Sequence, residues 1–314
     1  MIGITNNISL AQQHARQVVP VLEERIERVL NRGTIKYKKN TYKVTPELEK
    51  YLIAMSKTLG LEKLVLCPPS MLKKRIADLR SRHPNFLNTN HASSKILYNI
   101  FISGCYDDPR FDKTSFISNI KIDTCPYCNR TYTYVIGKRG SVKPEIDHFY
   151  DKIRYPFLGV SYYNLIPSCG TCNGRYCKWK SDADVMNLKN PYLIDPGEFR
   201  FDFKIQKIDY MNPLMDKTSV SISISTALTD HVTVFKLGDL YAMHTDHVLE
   251  LIIKSQHEYS KRFREYLKAY RYLKFSDTEL DRMILGNYSL PSEIHLRPLA
   301  KMYQDIGRKL GLIK

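Results

Sequence analysis

The sequence is short of the features that mark several large protein classes. Its 314 residues hold 14 glycines and 15 prolines, too few for a collagen-like or linker-dominated chain. No apolar run approaches the ~18–20 residues a membrane helix needs, so no membrane association is expected. The opening residues, Met1-Ile2-Gly3-Ile4-Thr5-Asn6-Asn7, offer neither a basic stretch nor an apolar one, and a secretory signal is expected to be absent. The expected location is therefore cytoplasmic, where disulfides are disfavoured and paired cysteines more often bind metal. Internal repeats and low-complexity segments are missing as well. Acidic residues are the scarcer charge: 32 Asp and Glu stand against 48 Lys and Arg, a net charge of +16. Each phosphate that a basic residue neutralises releases condensed counterions. The excess therefore suits nucleic acid, although a merely basic soluble protein has the same arithmetic.

What is present is ordinary globular material, 43% hydrophobic and 25% charged, enough for one large or two modest domains. The 22 tyrosines could stack on bases or pack a core. Leu10, Val18, Val19, Leu22, Ile26, Val29 and Leu30 recur at helical spacing, with Pro20 as a predicted kink and Gly33 as a stop. A second helix is punctuated by Thr45, Pro46 and Gly60, and others are predicted at about 70–82 and 92–103. Asp107-Asp108-Pro109 reads as a linker. Residues 201–208 and 220–226 alternate as two short strands, compatible with a hairpin with a long loop. Val248, Ile252, Tyr259, Phe263, Tyr266, Tyr270 and Leu273 mark a long amphipathic helix, and a last helix is expected over 297–310. Three regions follow: a helical scaffold or docking region (1–120), a cysteine-bearing module (121–195), and short strands with C-terminal helices (196–314).

The module carries the chemistry. Cys125-Pro-Tyr-Cys128 and Cys169-Gly-Thr-Cys172 are two Cys-x-x-Cys knuckles. Each presents two thiolates to one tetrahedral Zn²⁺, and together they complete a four-sulfur structural site. A redox pair is the alternative, but neither sits in a thioredoxin-like context. Cys67 and Cys105 read as buried or idle thiols, and Cys177 as a packed thiol or spare ligand. Between the knuckles lie Glu145-Ile-Asp147-His148-Phe149 and Tyr163-Asn164-Leu-Ile-Pro-Ser168, and Asn173 directly follows the second.

This order of knuckle, Asp-His, Asn-Leu and knuckle-Asn resembles the HNH (ββα-metal) endonucleases, over a segment from Cys125 to about Lys180. The resemblance implies a fold of α+β class, a small zinc-stapled ββα-metal module inserted in a mostly α-helical chain. It implies an endonuclease in which His148 is the general base, Asn164 holds the loop that orients it, and Asp147 with Asn173 holds a catalytic Mg²⁺ or Mn²⁺. The chemistry agrees. A histidine of ordinary pKa accepts a water's proton at neutral pH, and a hard cation takes carboxylate and amide oxygens. Asp147 and His148 would face opposite sides of a regular strand, so the pair is expected where the strand ends. Glu145 is an auxiliary ligand or a solvated strand residue. Lys138, Arg139, Lys143, Arg175, Lys178 and Lys180 grip phosphates or are plain surface, and Trp179 is a packing anchor or a stacking platform. The lysine that often follows the terminal Asn by three residues is replaced by Tyr176. His231, His244, His247 and His257 are read as structural.

The run Asn164 to Cys169 followed by Asn190-Pro-Tyr-Leu193 is similar to PtuB-type proteins of the Septu and certain retron anti-phage systems. That likeness implies a PtuA-like ATPase partner docked on the helical flanks. DNA is the favoured substrate and RNA a possible one. The rival readings are a non-catalytic zinc-stapled nucleic-acid-binding module, an RNase toxin acting on tRNA, and a mainly structural subunit whose site is silent until a partner assembles it.

Overall fold

The first helix, α1 (Ile8–Arg32), begins where the Asn7 side chain accepts a hydrogen bond from the Leu10 amide. It ends at Gly33, whose φ of 63° a residue with a Cβ adopts only at a cost. The structure is a computed structural model and describes residues 1–57, 59–137, 143–179, 181–207, 216–256, 261–269 and 274–313. Of the residues singled out in the sequence, Lys138, Arg139, Lys180, Ile208, His257, Tyr259, Tyr270 and Leu273 lie outside these. The buried face of α1, including Ala11, Ala15, Val18, Leu22 and Ile26, follows the predicted stripe. Pro20 sits on the solvent side, inside a helix that continues past it to Arg32.

A hairpin of β1 (Thr34–Tyr37) and β2 (Asn40–Lys43) interrupts the region expected to be mostly helical. Its turn uses Lys38 at φ 55°. α2 (Pro46–Lys57) starts as predicted, with the Leu48 amide donating to Thr45 Oγ1 at 3.3 Å. Its predicted stop is displaced: Leu59 takes the left-handed conformation and Gly60 opens α3 (Gly60–Val65). A Cβ on Gly60 would lie 2.8 Å from the Met55 carbonyl oxygen, so the glycine serves close approach and not chain reversal. α4 (Pro69–Arg82) and the single turn α5 (Pro84–Leu87) follow. α6 (Ala92–Tyr98) runs on as a π-helix over Asn99–Tyr106. The supposed linker is tied down, because Arg110 pairs with Asp108 at 2.9 Å and with Glu24 of α1 at 2.6 Å. α7 (Lys113–Ile120), capped by Asp112, was not foreseen.

The middle of the chain forms a short antiparallel pair, β3 (Glu145–His148) and β4 (Leu165–Ser168), with Asp147 opposite Ile166 and His148 opposite Leu165. One helical turn, α8 (Gly170–Asn173), comes next. The predicted later hairpin is present as β5 (Arg200–Ile205) and β6 (Val220–Ser225), antiparallel over their full length. Around it lie α9 (Thr229–Val234), α10 (Leu237–Ala242), α11 (Thr245–Gln256), α12 (Lys261–Ala269), α13 (Asp277–Leu285) and α14 (Ala300–Lys309). The long predicted helix falls on α11 and α12. α14 starts later than expected because Leu299 is left-handed at φ 63°.

The fold is thus mixed α+β, mostly helical, with small antiparallel sheets. One hydrophobic core joins α1 to α7 with the knuckles and the β3–β4 pair, and a second lies beneath β5–β6 against α11, α13 and α14. Fully buried side chains such as Leu22 and Phe101 each contribute ~1.5–3 kcal/mol. The cysteine segment therefore rests on the helical scaffold and does not depend on its own small core. Among the described residues, no helix is long and apolar enough to cross a membrane.

Candidate metal centre and active site

Cys125, Cys128, Cys169 and Cys172 converge from two distant knuckles, with all four sulfurs buried and within 4.8 Å of one another. A tetrahedral zinc with bonds of ~2.3 Å requires neighbouring sulfurs about 3.8 Å apart. Cys128 Sγ and Cys169 Sγ are separated by 3.9 Å, and all seven cysteines are free. The donor set and spacing fit one structural zinc ion. The Arg130 amide donates to Cys128 Sγ at 3.4 Å and the Tyr241 hydroxyl to the Cys128 carbonyl at 2.6 Å, outer contacts of the kind that orient ligands. Cys67 and Cys105 are buried away from the cluster, and Cys177 does not join it. Cys169 occupies the cap position of α8.

β3 ends at His148, as adjacency to Asp147 demands. The imidazole is buried, edge-on to the Tyr106 ring at 4.5 Å, and its Nε2 lies 3.0 Å from the Gly159 carbonyl oxygen. A carbonyl only accepts, so Nε2 carries the hydrogen and Nδ1 keeps the lone pair. Burial, then the nearby Lys152 charge, pushes the pKa of His148 down to about 3 against the opposing pull of Gly159. The histidine is therefore neutral throughout the physiological range.

Asn164 is buried at the far end of the same loop. Its Oδ1 accepts from the Tyr150 amide at 2.7 Å, and its Nδ2 donates to the Tyr150 and Leu158 carbonyls at 3.2 and 3.0 Å. Gly159 follows Leu158 directly, so one side-chain amide holds the loop that presents the acceptor for His148. A Cβ on Gly159 would come 2.9 Å from the Pro156 carbonyl oxygen and 2.1 Å from the end of the Ile102 side chain, so any larger residue would push on this loop.

Asp147 is arranged differently from the simplest expectation. Its Oδ2 accepts from the Tyr127 hydroxyl at 2.5 Å and its Oδ1 from Lys178 Nζ at 2.8 Å. Lys178 also donates to the His148 carbonyl at 2.8 Å. It is fully buried, which removes it from the group of surface lysines able to grip phosphate. Tyr127 lies inside the first knuckle and Lys178 just beyond the second, so the pair stitches the four-cysteine cluster to the strand. Asn173 meets Glu145 and not Asp147, its Nδ2 donating to Glu145 Oε2 at 2.7 Å. Glu145, Asp147 and Asn173 line one cleft of about 380 Å³ with His148, Asp151, Lys152 and Trp179.

The carboxylates and the Asn173 amide form the oxygen-rich donor set that a hard divalent cation prefers. In the structure Glu145 Oε2 already accepts from the Asn173 amide and the Asp147 charge is met by Lys178. Trp179 is half-exposed on the cleft and is not a buried packing anchor. Arg175 is exposed, with its guanidinium 6.0 Å from the Trp179 ring centroid, and Lys143 is exposed as well. Of the four histidines read as structural, the three that are described have structural partners. His231 is buried and bonds Lys189, His244 accepts from Arg130 Nε, and His247 contacts the Tyr303 hydroxyl. The roles of Tyr127 and Lys178 were missed from sequence. The only local signal was a tyrosine inside a knuckle and a lysine displaced from its usual spacing.

An 80-residue stretch is 34% identical to "Septu protein PtuB" of Bacillus thuringiensis, covering 25% of this chain and 29% of that protein. No protein-family model matches the chain, and no solved structure matches it. The chain is thus weakly similar, over about a quarter of its length, to a Septu PtuB protein.

Proposed function

We propose that the chain is a metal-dependent HNH-type endonuclease that hydrolyses nucleic-acid phosphodiesters, DNA first, as an effector of an anti-phage system with a PtuA-type ATPase partner. The observation that carries the reading is His148 at the end of β3, its tautomer set by Gly159, sharing one cleft with Glu145, Asp147 and Asn173. The partial similarity to PtuB supports the defence role.

In this reading His148 is the general base. Its Nδ1 takes the proton of the attacking water, a contribution of typically ~10²–10⁴-fold. Its low pKa makes it a weaker base than imidazole in water, but it never arrives at the reaction already protonated. Asn164 and Gly159 fix the ring so that Nδ1 is not spent on a random orientation. Asp147, Asn173 and Glu145 would hold Mg²⁺ or Mn²⁺, which when bound neutralises charge on the scissile phosphate and the departing oxygen. Lys152 places a cation at the cleft wall, where it attracts the phosphate backbone. Lys178 holds the strand end by its bonds to both Asp147 and the His148 backbone.

The test is incubation of purified protein with supercoiled plasmid and with total tRNA, in Mg²⁺ or Mn²⁺, with and without a PtuA-type ATPase. Wild-type protein is expected to nick or linearise the plasmid. His148→Ala is expected to lose at least about 10²-fold while retaining its zinc and its circular dichroism spectrum. Equal cleavage by a folded His148→Ala sample rejects the assignment. The second reading, a non-catalytic zinc-stapled binding module, is favoured by one observation: both Asp147 oxygens already have partners. Tight nucleic-acid binding without cleavage under every metal and partner condition would select it.

A further inference from the structure

Exposed aromatic rings invite an explanation, because a tyrosine buries ~150–250 Å² when it packs. Tyr132 and Tyr134 are 43% and 42% exposed. Two positions apart, their rings stack at 4.5 Å between centroids and 19° between planes and so lie on one side of the chain. They lie on the stretch leading from the first knuckle toward β3. Tyr132 bridges to Thr124, which fixes the backbone beneath the pair.

The neighbouring surface is basic and aromatic. Asn129, at the end of the first knuckle, clamps the C-terminal segment: its amide donates to the Ile294 carbonyl at 3.0 Å, and its Oδ1 accepts from the Lys301 amide at 3.0 Å. That segment follows Tyr288, whose ring carries the Arg282 guanidinium at 4.0 Å and the Arg297 guanidinium at 5.4 Å. Gln304 Nε2 donates to the Tyr288 carbonyl at 3.0 Å, which ties Tyr288 to the same helix whose first turn Asn129 holds. Glu279, the acid beside the two arginines, is tied to Ser276 in a capping box.

We infer that this patch is a stacking site for the unpaired bases of single-stranded nucleic acid. Every base has a π-face, so stacked tyrosines accept bases without reading sequence, while guanidinium planes stack on bases and pair with phosphate. In a duplex the faces are already covered by neighbouring base pairs, so the patch discriminates for unpaired strands. The inference deepens the nuclease reading and rests on it for the substrate class, but it concerns binding and is tested without cleavage.

The experiment uses full-length His148→Ala protein and fluorescence anisotropy with a labelled mixed-sequence oligonucleotide, single-stranded or annealed to its complement, at one salt concentration. Adding Tyr132→Ala and Tyr134→Ala is expected to weaken single-strand binding by about tenfold or more, with duplex binding little changed. Tyr132→Leu with Tyr134→Leu, which keeps apolar bulk, should lose as much, and the pair of phenylalanine substitutions should restore affinity. Zinc content and melting temperature establish that each variant is folded. Unchanged single-strand affinity overturns the inference, as does equal loss for single strand and duplex. Intact nucleic-acid binding with loss of a PtuA-type ATPase makes the patch a protein contact and also overturns it. If His148→Ala binds single strands through these rings while wild-type protein never cleaves, the nuclease reading fails and this one stands.

Discussion

Replacing Lys178 with methionine should destabilise the protein far more than an ordinary lysine substitution. The Lys178 and Asp147 side chains are 1% and 4% exposed, with Nζ and Oδ1 2.8 Å apart. Methionine keeps most of the apolar stem but strands a buried carboxylate whose remaining partner is the Tyr127 hydroxyl. Removing one member of a buried pair costs ~3–5 kcal/mol. The lost bond to the His148 carbonyl adds about 1 kcal/mol. At ~2–4 °C per kcal/mol for large domains, the melting temperature should fall by roughly 8–24 °C. The assay is urea and thermal unfolding followed by circular dichroism in zinc-containing buffer, with bound zinc measured for each sample. Asp147→Leu combined with Lys178→Met removes both charges and should lose less stability than Lys178→Met alone, because no orphan charge remains. A Lys178→Met protein within about 1 kcal/mol of wild type would contradict a buried pair of this kind. A double variant whose loss equals the sum of the single losses would show that the two groups are not coupled.

Three further outcomes follow from the geometry. Cys125→Ser or Cys172→Ser should abolish stoichiometric zinc and lower the melting temperature, as strong chelation should in wild type; full zinc content in both variants would exclude the four-sulfur site. Asn164→Ala removes three hydrogen bonds from a buried loop and should cost about 2–4 kcal/mol, with any nuclease activity falling further because the acceptor for His148 loosens. His14 is buried and held to a pKa of about 4 by desolvation against its bond to the Val160 carbonyl. Its folded pKa lies below the unfolded value of 6.5, so its stabilising contribution is complete above pH 6.5 and declines as pH falls toward 4. Urea midpoints should report about 2 kcal/mol lost by pH 5 through this group, and His14→Gln should remove that share of the pH dependence.

Residue identity and short-range spacing were enough to pair the knuckles, to mark Asp147-His148 at a strand end and to locate α1, α2, α4 and the β5–β6 hairpin. These features depend on local rules: two thiolates per Cys-x-x-Cys turn, a stripe every three to four residues, a threonine before a proline. The β1–β2 hairpin was hidden because its ten residues alternate only weakly, and Gly60 was misjudged because a glycine can serve close packing as well as a helix stop. Which oxygen meets which donor around Asp147 was decided only by the tertiary structure. Tyr127 and Lys178 reach it from opposite ends of the four-cysteine segment, and Asn173 reaches Glu145 across the β3–α8 junction. Those encounters depend on how the hairpin, the knuckles and the helical scaffold pack, and no spacing along the chain encodes the distance between side chains that a shared core brings together.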